Sequence, residues 1–174
     1  MSSARSVRLR PIQDADLGRL VDLNNSAHPA VPVVDAREFA DLLALTRLAL
    51  VAVADEAVVG FLLAIDPGAD YASENYRWFE SRGVDSLYID RIVVDAGARG
   101  AGVGRALYDA VFAQARTDGR AEVTCEVNLQ PPNPESLAFH ARMGFSRLGE
   151  QPTKGGSVTV ALLAARLEGV RGRT

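Results

Sequence analysis

Apolar and polar positions change period several times along the chain, and each change marks an element. "VRLRPI", residues 7–12, alternates Val7 and Leu9 with Arg8 and Arg10 until Pro11 stops it, which predicts a short first strand. Leu17, Leu20 and Val21 then share one helical face, with Asp14 placed to cap that helix. Asp35 and Glu38 stand at capping-box spacing ahead of Phe39, Leu42 and Leu43, so a second helix follows. "LALVAVADEAVVGFLLAI" reads as two strands joined by a tight turn near Asp55 and Glu56, an antiparallel hairpin. Residues 67–83 break the pattern: Tyr71, Tyr76, Trp78 and Phe79 stand among polar residues, in a segment open to a short helix or a lid.

The second half is more regular. "DSLYIDRIVVD" is a strand, and "VVDAGARGAGVGRALYDAV" leaves it through a glycine-rich loop into a helix from about Val103 to Asp118. Val103, Leu107, Ala110 and Val111 form that helix's buried stripe, and Gly119 can end it in the left-handed conformation. "AEVTCEV" is another strand. Asn133 and Pro134 make an N-cap and first-turn pair for a helix through Arg142, with Gly144 as its stop. "FSRLGE" and "SVTVALLAARL" close the chain as strands, the latter with room to tail into helix. This order predicts an α/β (α+β) fold in a single domain over residues 1–174. Its sheet is mixed, largely antiparallel and twisted, with helices on both faces.

Composition narrows the function. A net charge of -3 provides no basic excess to neutralise phosphates, so a nucleic-acid partner is not expected. No apolar run is long enough to span a bilayer, and the first residues lack a signal-peptide core, so the expected setting is cytoplasmic, without a membrane partner. Cys125, the single cysteine, excludes an intrachain disulfide. It alternates with Glu126 on its strand, which makes it a small core residue rather than a nucleophile.

The glycine loop carries the first chemistry. Glycines at 100, 102 and 104 remove side chains, so that backbone N–H groups at a helix start can close on an anion, and Arg99 and Arg105 add charge at the rim. A nucleotide P-loop would end in Gly-Lys-Ser/Thr and is excluded. A dinucleotide fingerprint would put its third glycine where Arg105 stands, so that fit fails. The dinucleotide reading is thereby weakened, and the pyrophosphate of coenzyme A and a purely structural turn fit the spacing better.

"VDAGARGAGVG", at Val94, Arg99, Gly102 and Gly104, resembles the coenzyme A signature of the GNAT acetyltransferase superfamily, with Ala96 where the family often has proline. Downstream, "NPESLAFHARMGF" resembles the family's Asn-x-x-Ala-x-x-hydrophobic-Tyr-x-x-x-Gly-Phe block, at Asn133, Ser136, Phe139, His140, Gly144 and Phe145. Two motifs in the family's order, with a strand between them, are more specific than either alone.

The resemblance implies an acetyl-CoA-dependent N-acetyltransferase acting by direct attack of an amine in a ternary complex, with acetyl-CoA as cosubstrate and no metal. Ile92, Val93, Val94, Arg99, Gly100, Ala101, Gly102, Val103, Gly104, Arg105, Asn133, Ser136, Phe139 and His140 would hold the coenzyme. Tyr88 to Val94 would splay away from the strand carrying Glu126, leaving a gap for the pantetheine arm. His140 stands where the family usually has the tyrosine acid, and a near-neutral pKa suits it to that work. Glu126 resembles the base of the ribosomal-protein N-terminal acetyltransferases. Asp90, on the same face as Tyr88 and Val94 by the two-residue period and opposite to Arg91, is the second candidate base, and a bound water is a third.

Tyr71, Tyr76, Trp78, Phe79, Tyr88 and Asn128 are candidates for contact with the acceptor, a small-molecule or peptide amine. For Trp78 and Phe79 the alternative is packing of the loop onto the core. His28 sits in an N-terminal loop, solvated or at the acceptor site. The superfamily also implies a possible homodimer. Rival readings are a non-catalytic acyl-CoA-binding module, an acyltransferase with another acyl group or acceptor, and a dinucleotide-binding oxidoreductase domain.

Overall fold

The computed structural model describes residues 6–168. Seven strands form one sheet: β1 (Arg8–Pro11), β2 (Leu48–Ala54), β3 (Ala57–Ile65), β4 (Ser86–Val94), β5 (Glu122–Gln130), β6 (Ser146–Thr153) and β7 (Val158–Arg166). Their spatial order is β1-β2-β3-β4-β5-β7-β6. Every neighbouring pair is antiparallel except β4 and β5. Helices α1 (Leu17–Ser26), α2 (Ala36–Leu45) and α3 (Glu74–Ser81) supply Leu20, Leu23, Phe39, Leu42, Tyr76 and Phe79 to the core on one face. On the other face α4 (Val103–Thr117) and α5 (Pro134–Arg142) pack Val103, Leu107, Tyr108, Leu137 and Phe139. The mixed, mostly antiparallel single-domain sheet with helices on both sides is the fold the hydrophobic pattern predicts.

Local signals explain most boundaries. The capping box forms at the start of α2: the Glu38 amide donates to Asp35 Oδ1 and the Asp35 amide to Glu38 Oε2, each at 2.8 Å. Asp55 and Glu56 take φ of 49° and 62°, the positive values that a two-residue hairpin turn requires. Asn133 Oδ1 accepts from the Ser136 amide at the head of α5. The first helix departs from expectation. A short 3-10 turn, Asp14–Asp16, precedes α1 and its N-cap is Gln13, so Asp14 caps nothing. Asp16 is the residue drawn in, because its carboxylate accepts from the Gln13 amide and pairs with Arg10. The aromatic segment holds the short helix α3, capped by Ser73. β7 stays a strand to Arg166.

Two irregularities make room for a site. The parallel ladder between β4 and β5 covers only Ser86 to Tyr88 against Glu122 to Thr124, and beyond it the two strands part. β4 also carries a β-bulge: Leu63 pairs with Arg91 and Ala64 with Ile89, leaving Asp90 as the extra residue. The bulge reverses the strand's alternation. Tyr88 and Val93 lie on the α1–α3 face, whereas Ile89, Ile92 and Val94 lie on the α4–α5 face. Asp90 and Val94 therefore do not share a face, and Arg91 is brought beside Asp90 instead of opposite it.

Candidate active site

The open fork between β4 and β5 is the floor of two adjoining cavities. One, of about 160 Å³, is lined among others by Asp90, Arg91, Glu126, Asn128, Tyr108 and Asn75. The other, of about 530 Å³, runs along the glycine loop and the start of α4. Ala30, Ile92, Asn133, Ser136 and His140 line both, so the cavities meet at that wall.

Glu126 stands on the α1–α3 side of the fork. The Tyr88 hydroxyl lies 2.8 Å from each of its carboxylate oxygens, and the Asn75 amide also bonds to it. Loss of solvent raises its pKa to about 8, helped by the negative charge of Asp90, and the bonds from Tyr88 and Asn75 oppose the rise. Asp90 is engaged differently: Tyr71 donates to its Oδ1 at 2.5 Å and Arg91 Nε to its Oδ2 at 2.7 Å. Arg91 also reaches Asn24 Oδ1 on α1, at 2.7 Å. Both oxygens of Asp90 thus have committed donors, and its partner is the arginine that strict alternation places on the other face. Burial pushes the Tyr71 and Tyr88 phenols up, so both stay protonated donors.

His140 is buried on the other side of the fork. Its Nδ1 lies 2.7 Å from the Ser136 carbonyl, which can only accept, so Nδ1 carries the proton. Nε2 then accepts from the Tyr108 hydroxyl at 2.5 Å. Burial lowers the His140 pKa, keeping the ring neutral. Both ring nitrogens are therefore occupied within the protein, and the hydroxyl-bearing residues that line the small cavity there are Tyr108 and Ser136. Cys125 is buried beside the Tyr108 hydroxyl, its thiol pushed up by burial.

The glycine loop forms an open cradle. Gly100 and Gly102 both have φ of 79°, and no heavy atom lies within 4 Å of where a Cβ would stand on either. Gly102 is the N-cap of α4 and provides no capping side chain, leaving the first-turn amides for a ligand. A Cβ on Gly104 would meet Phe139 Cζ at 3.2 Å, so the two sequence motifs touch here. All the residues expected around the coenzyme border the larger cavity except Ala101, which is exposed in the loop. Arg142 of α5 joins Arg99 and Arg105 at its edge, and none of the three has an ion-pair partner among the described residues. No sequence motif singles out Arg142. Three cations and a helix N-terminus around an open glycine cradle suit the phosphates of coenzyme A.

The aromatic candidates divide. Tyr71 holds Asp90 but does not line the small cavity, and Tyr88 sits behind Glu126. Tyr76 is buried and donates to the Asp66 carbonyl, while Phe79 packs against Tyr88. Trp78 packs on Phe79 and under Arg82. The apolar stripe of α3 thus turns these rings onto the sheet, and its polar Asn75 reaches the cavity. Asn128 lines the cavity and donates to the Pro29 carbonyl at 2.9 Å. His28 is exposed and lines neither cavity. Among the described residues no cluster of His, Cys, Asp or Glu is placed to hold a metal ion, and no helix is long and apolar enough to cross a membrane.

A sheet that forks beside an anion cradle, with a buried carboxylate in the fork, defines an acyl-transfer enzyme. Comparison with known proteins gives the same class. The Acetyltransferase (GNAT) family model matches residues 18–145. Glucosamine 6-phosphate N-acetyltransferase 1 of Oryza sativa subsp. japonica is 33% identical over 142 residues, covering 79% of this chain and 80% of that one. Ard1 from Thermoplasma volcanium superposes with a TM-score of 0.74 at 21% identity, over 93% of this chain and 99% of that one. Arabidopsis thaliana Naa50, solved with the bisubstrate analogue CoA-Ac-MVNAL, superposes at 0.70 with 20% identity, over 93% and 99%. The chain belongs to the GNAT family and is an N-acetyltransferase of that family.

Proposed function

We propose that the enzyme transfers an acetyl group from acetyl-CoA to a primary amine by direct attack, in a cytoplasmic setting. When bound, acetyl-CoA supplies the acyl group as an activated thioester. The glycine cradle, the first turn of α4 and Arg99, Arg105 and Arg142 would bind its phosphates. Backbone groups of Ile92 to Val94, which the fork leaves unpaired on the β5 side, would orient the acyl end and offer an N–H to its carbonyl.

Glu126 carries the reading. A free primary amine has a pKa of about 10 and is mostly protonated at neutral pH, so the attacking nitrogen must first lose a proton. A carboxyl held at about 8 is still partly ionised at neutral pH and a far stronger base than an ordinary carboxylate, so it can take the proton as the nitrogen attacks. Asp90, with both oxygens committed, instead raises the basicity of Glu126 through its charge. To protonate the departing thiolate the Tyr108 hydroxyl would have to turn its one proton away from His140 Nε2, so the acid role expected for His140 would fall to Tyr108, with His140 positioning it.

The small cavity and the 33% identical relative both favour a small-molecule acceptor over a protein N-terminus. The test is release of free thiol from acetyl-CoA against a panel of small amines and N-terminal peptides. Turnover with small amines supports the reading. Tight binding of coenzyme A with no turnover on any amine would instead identify a non-catalytic acyl-CoA-binding module.

A further inference from the structure

The acceptor cavity has one cation left unengaged. Lys154, the only lysine in the chain, lines the 160 Å³ cavity at its exposed mouth. Its ammonium has no carboxylate partner among the described residues. The other cation in that wall, Arg91, is engaged by Asp90 and Asn24, and His140 is neutral.

The backbone of Lys154 is held in place. Its φ is 52°, a left-handed value disfavoured for any residue with a Cβ, and it is followed by Gly155 and Gly156, also at positive φ. Its amide donates to Glu74 Oε2 at 3.1 Å, and its carbonyl accepts from the Ser157 hydroxyl at 2.9 Å and the Ser157 amide at 3.3 Å. A lysine kept where glycine would sit more easily, and kept by three bonds, points to a use for its side chain.

The far end of the cavity is acidic. Glu126 is level with Leu162 of β7, and Thr153, next to Lys154, is level with Val158. Those levels are roughly 13 Å apart along β7, and β5 and β6 flank that strand on opposite sides, so the two backbones stand roughly 16 Å apart, a span that the Glu126 and Lys154 side chains shorten from both ends. The cavity therefore has carboxylates where the amine reacts and, in its lining at the mouth, the lysine, while the Glu74 carboxylate beside it is engaged by the Lys154 amide and does not line the cavity.

We infer that Lys154 reads an anionic group, phosphate or carboxylate, on the acceptor, so that the substrate is a small amine carrying a negative charge several bonds from its nitrogen. This inference rests on the acetyl-transfer reading above. The chemistry asks only for two ends of opposite charge, as an amino sugar phosphate or an amino acid provides.

Because Lys154 is the only lysine, reductive methylation with 13C-formaldehyde labels it alone apart from the N-terminal amine, and it keeps the charge. With coenzyme A present, glucosamine 6-phosphate and inorganic phosphate should shift the dimethyl-lysine resonance, as should 4-aminobutyrate if carboxylate is read. Glucosamine and butylamine should leave it in place. In turnover, Lys154→Gln should lower kcat/KM for the anionic member of each pair about tenfold or more, the loss expected for one hydrogen bond to a charged group. It should spare the neutral member, and Lys154→Arg should retain most of the preference. Equal shifts with charged and neutral amines, no shift with any anion, or equal losses in both members of a pair would overturn the inference. Absence of thiol release with every amine, alongside a selective shift, would fault the acetyl-transfer reading and leave the anion site standing.

Discussion

Tyr88 places its hydroxyl 2.8 Å from both carboxylate oxygens of Glu126, a single donor shared by two acceptors. The bond favours the ionised carboxylate and so holds its pKa below the value that burial alone would set. Tyr88→Phe should move the basic inflection of the kcat/KM profile to higher pH. Activity at pH 7 should fall by about tenfold for each pH unit that the inflection moves, and should recover at alkaline pH. A uniform loss at all pH values would mean that Tyr88 acts through packing.

The same carboxyl makes stability depend on pH. Folded, Glu126 keeps its proton up to about 8, whereas the ordinary value for a glutamate is 4.5. Between those values the folded chain binds more protons than the unfolded one, so stability falls as pH rises through that window and levels off above it. Urea titrations of the wild type and Glu126→Gln at pH 5 and pH 8.5 check this, since the variant should lose that part of the slope.

His140 and Tyr108 satisfy each other in a buried site, so removing either leaves a polar atom stranded. His140→Phe and Tyr108→Phe should each cost about 1–3 kcal/mol, and the double variant clearly less than their sum. Only Tyr108→Phe exposes the cavity to the loss of its hydroxyl while keeping the imidazole. Turnover lowered in Tyr108→Phe at unchanged coenzyme A affinity therefore separates a donor from a packing role.

Much of this was legible in the chain. The glycine loop, the Asn133 cap, the Asp35–Glu38 box and the Asp55–Glu56 turn are local chemistry, and local chemistry shows in sequence. The bulge at Asp90 does not, because it is an excess of one residue relative to β3, a property of pairing rather than of either strand. That one residue turned Arg91 from a bystander into the partner of Asp90. Asn75 and Lys154 escaped notice for a similar reason. α3 and the β6–β7 turn bring them to the cavity from distant parts of the chain. The aromatic residues of α3 stayed open between pocket and packing, because apolar residues in a polar segment fit a lid and a packed helix equally well.

Arg142 and the glycine cradle can be tested together by binding. Arg142→Ala should weaken coenzyme A by about three- to tenfold and flatten the salt dependence of its Kd, as loss of one phosphate-directed charge would. Gly102→Glu should abolish binding, placing bulk and negative charge in the open space beside the helix start. Calorimetry with coenzyme A reads both, and normal affinity in Gly102→Glu would make the loop a structural turn.

The pH profile of acetyl transfer by wild type and Glu126→Gln tests the central claim most directly. The wild type should show kcat/KM rising through an inflection near 8, the pKa held by Glu126 in the fork. Glu126→Gln should lose about a hundredfold or more in kcat and lose the inflection with it, while coenzyme A affinity stays unchanged. A variant that keeps both its rate and the wild-type inflection would contradict the assignment of Glu126 as the base.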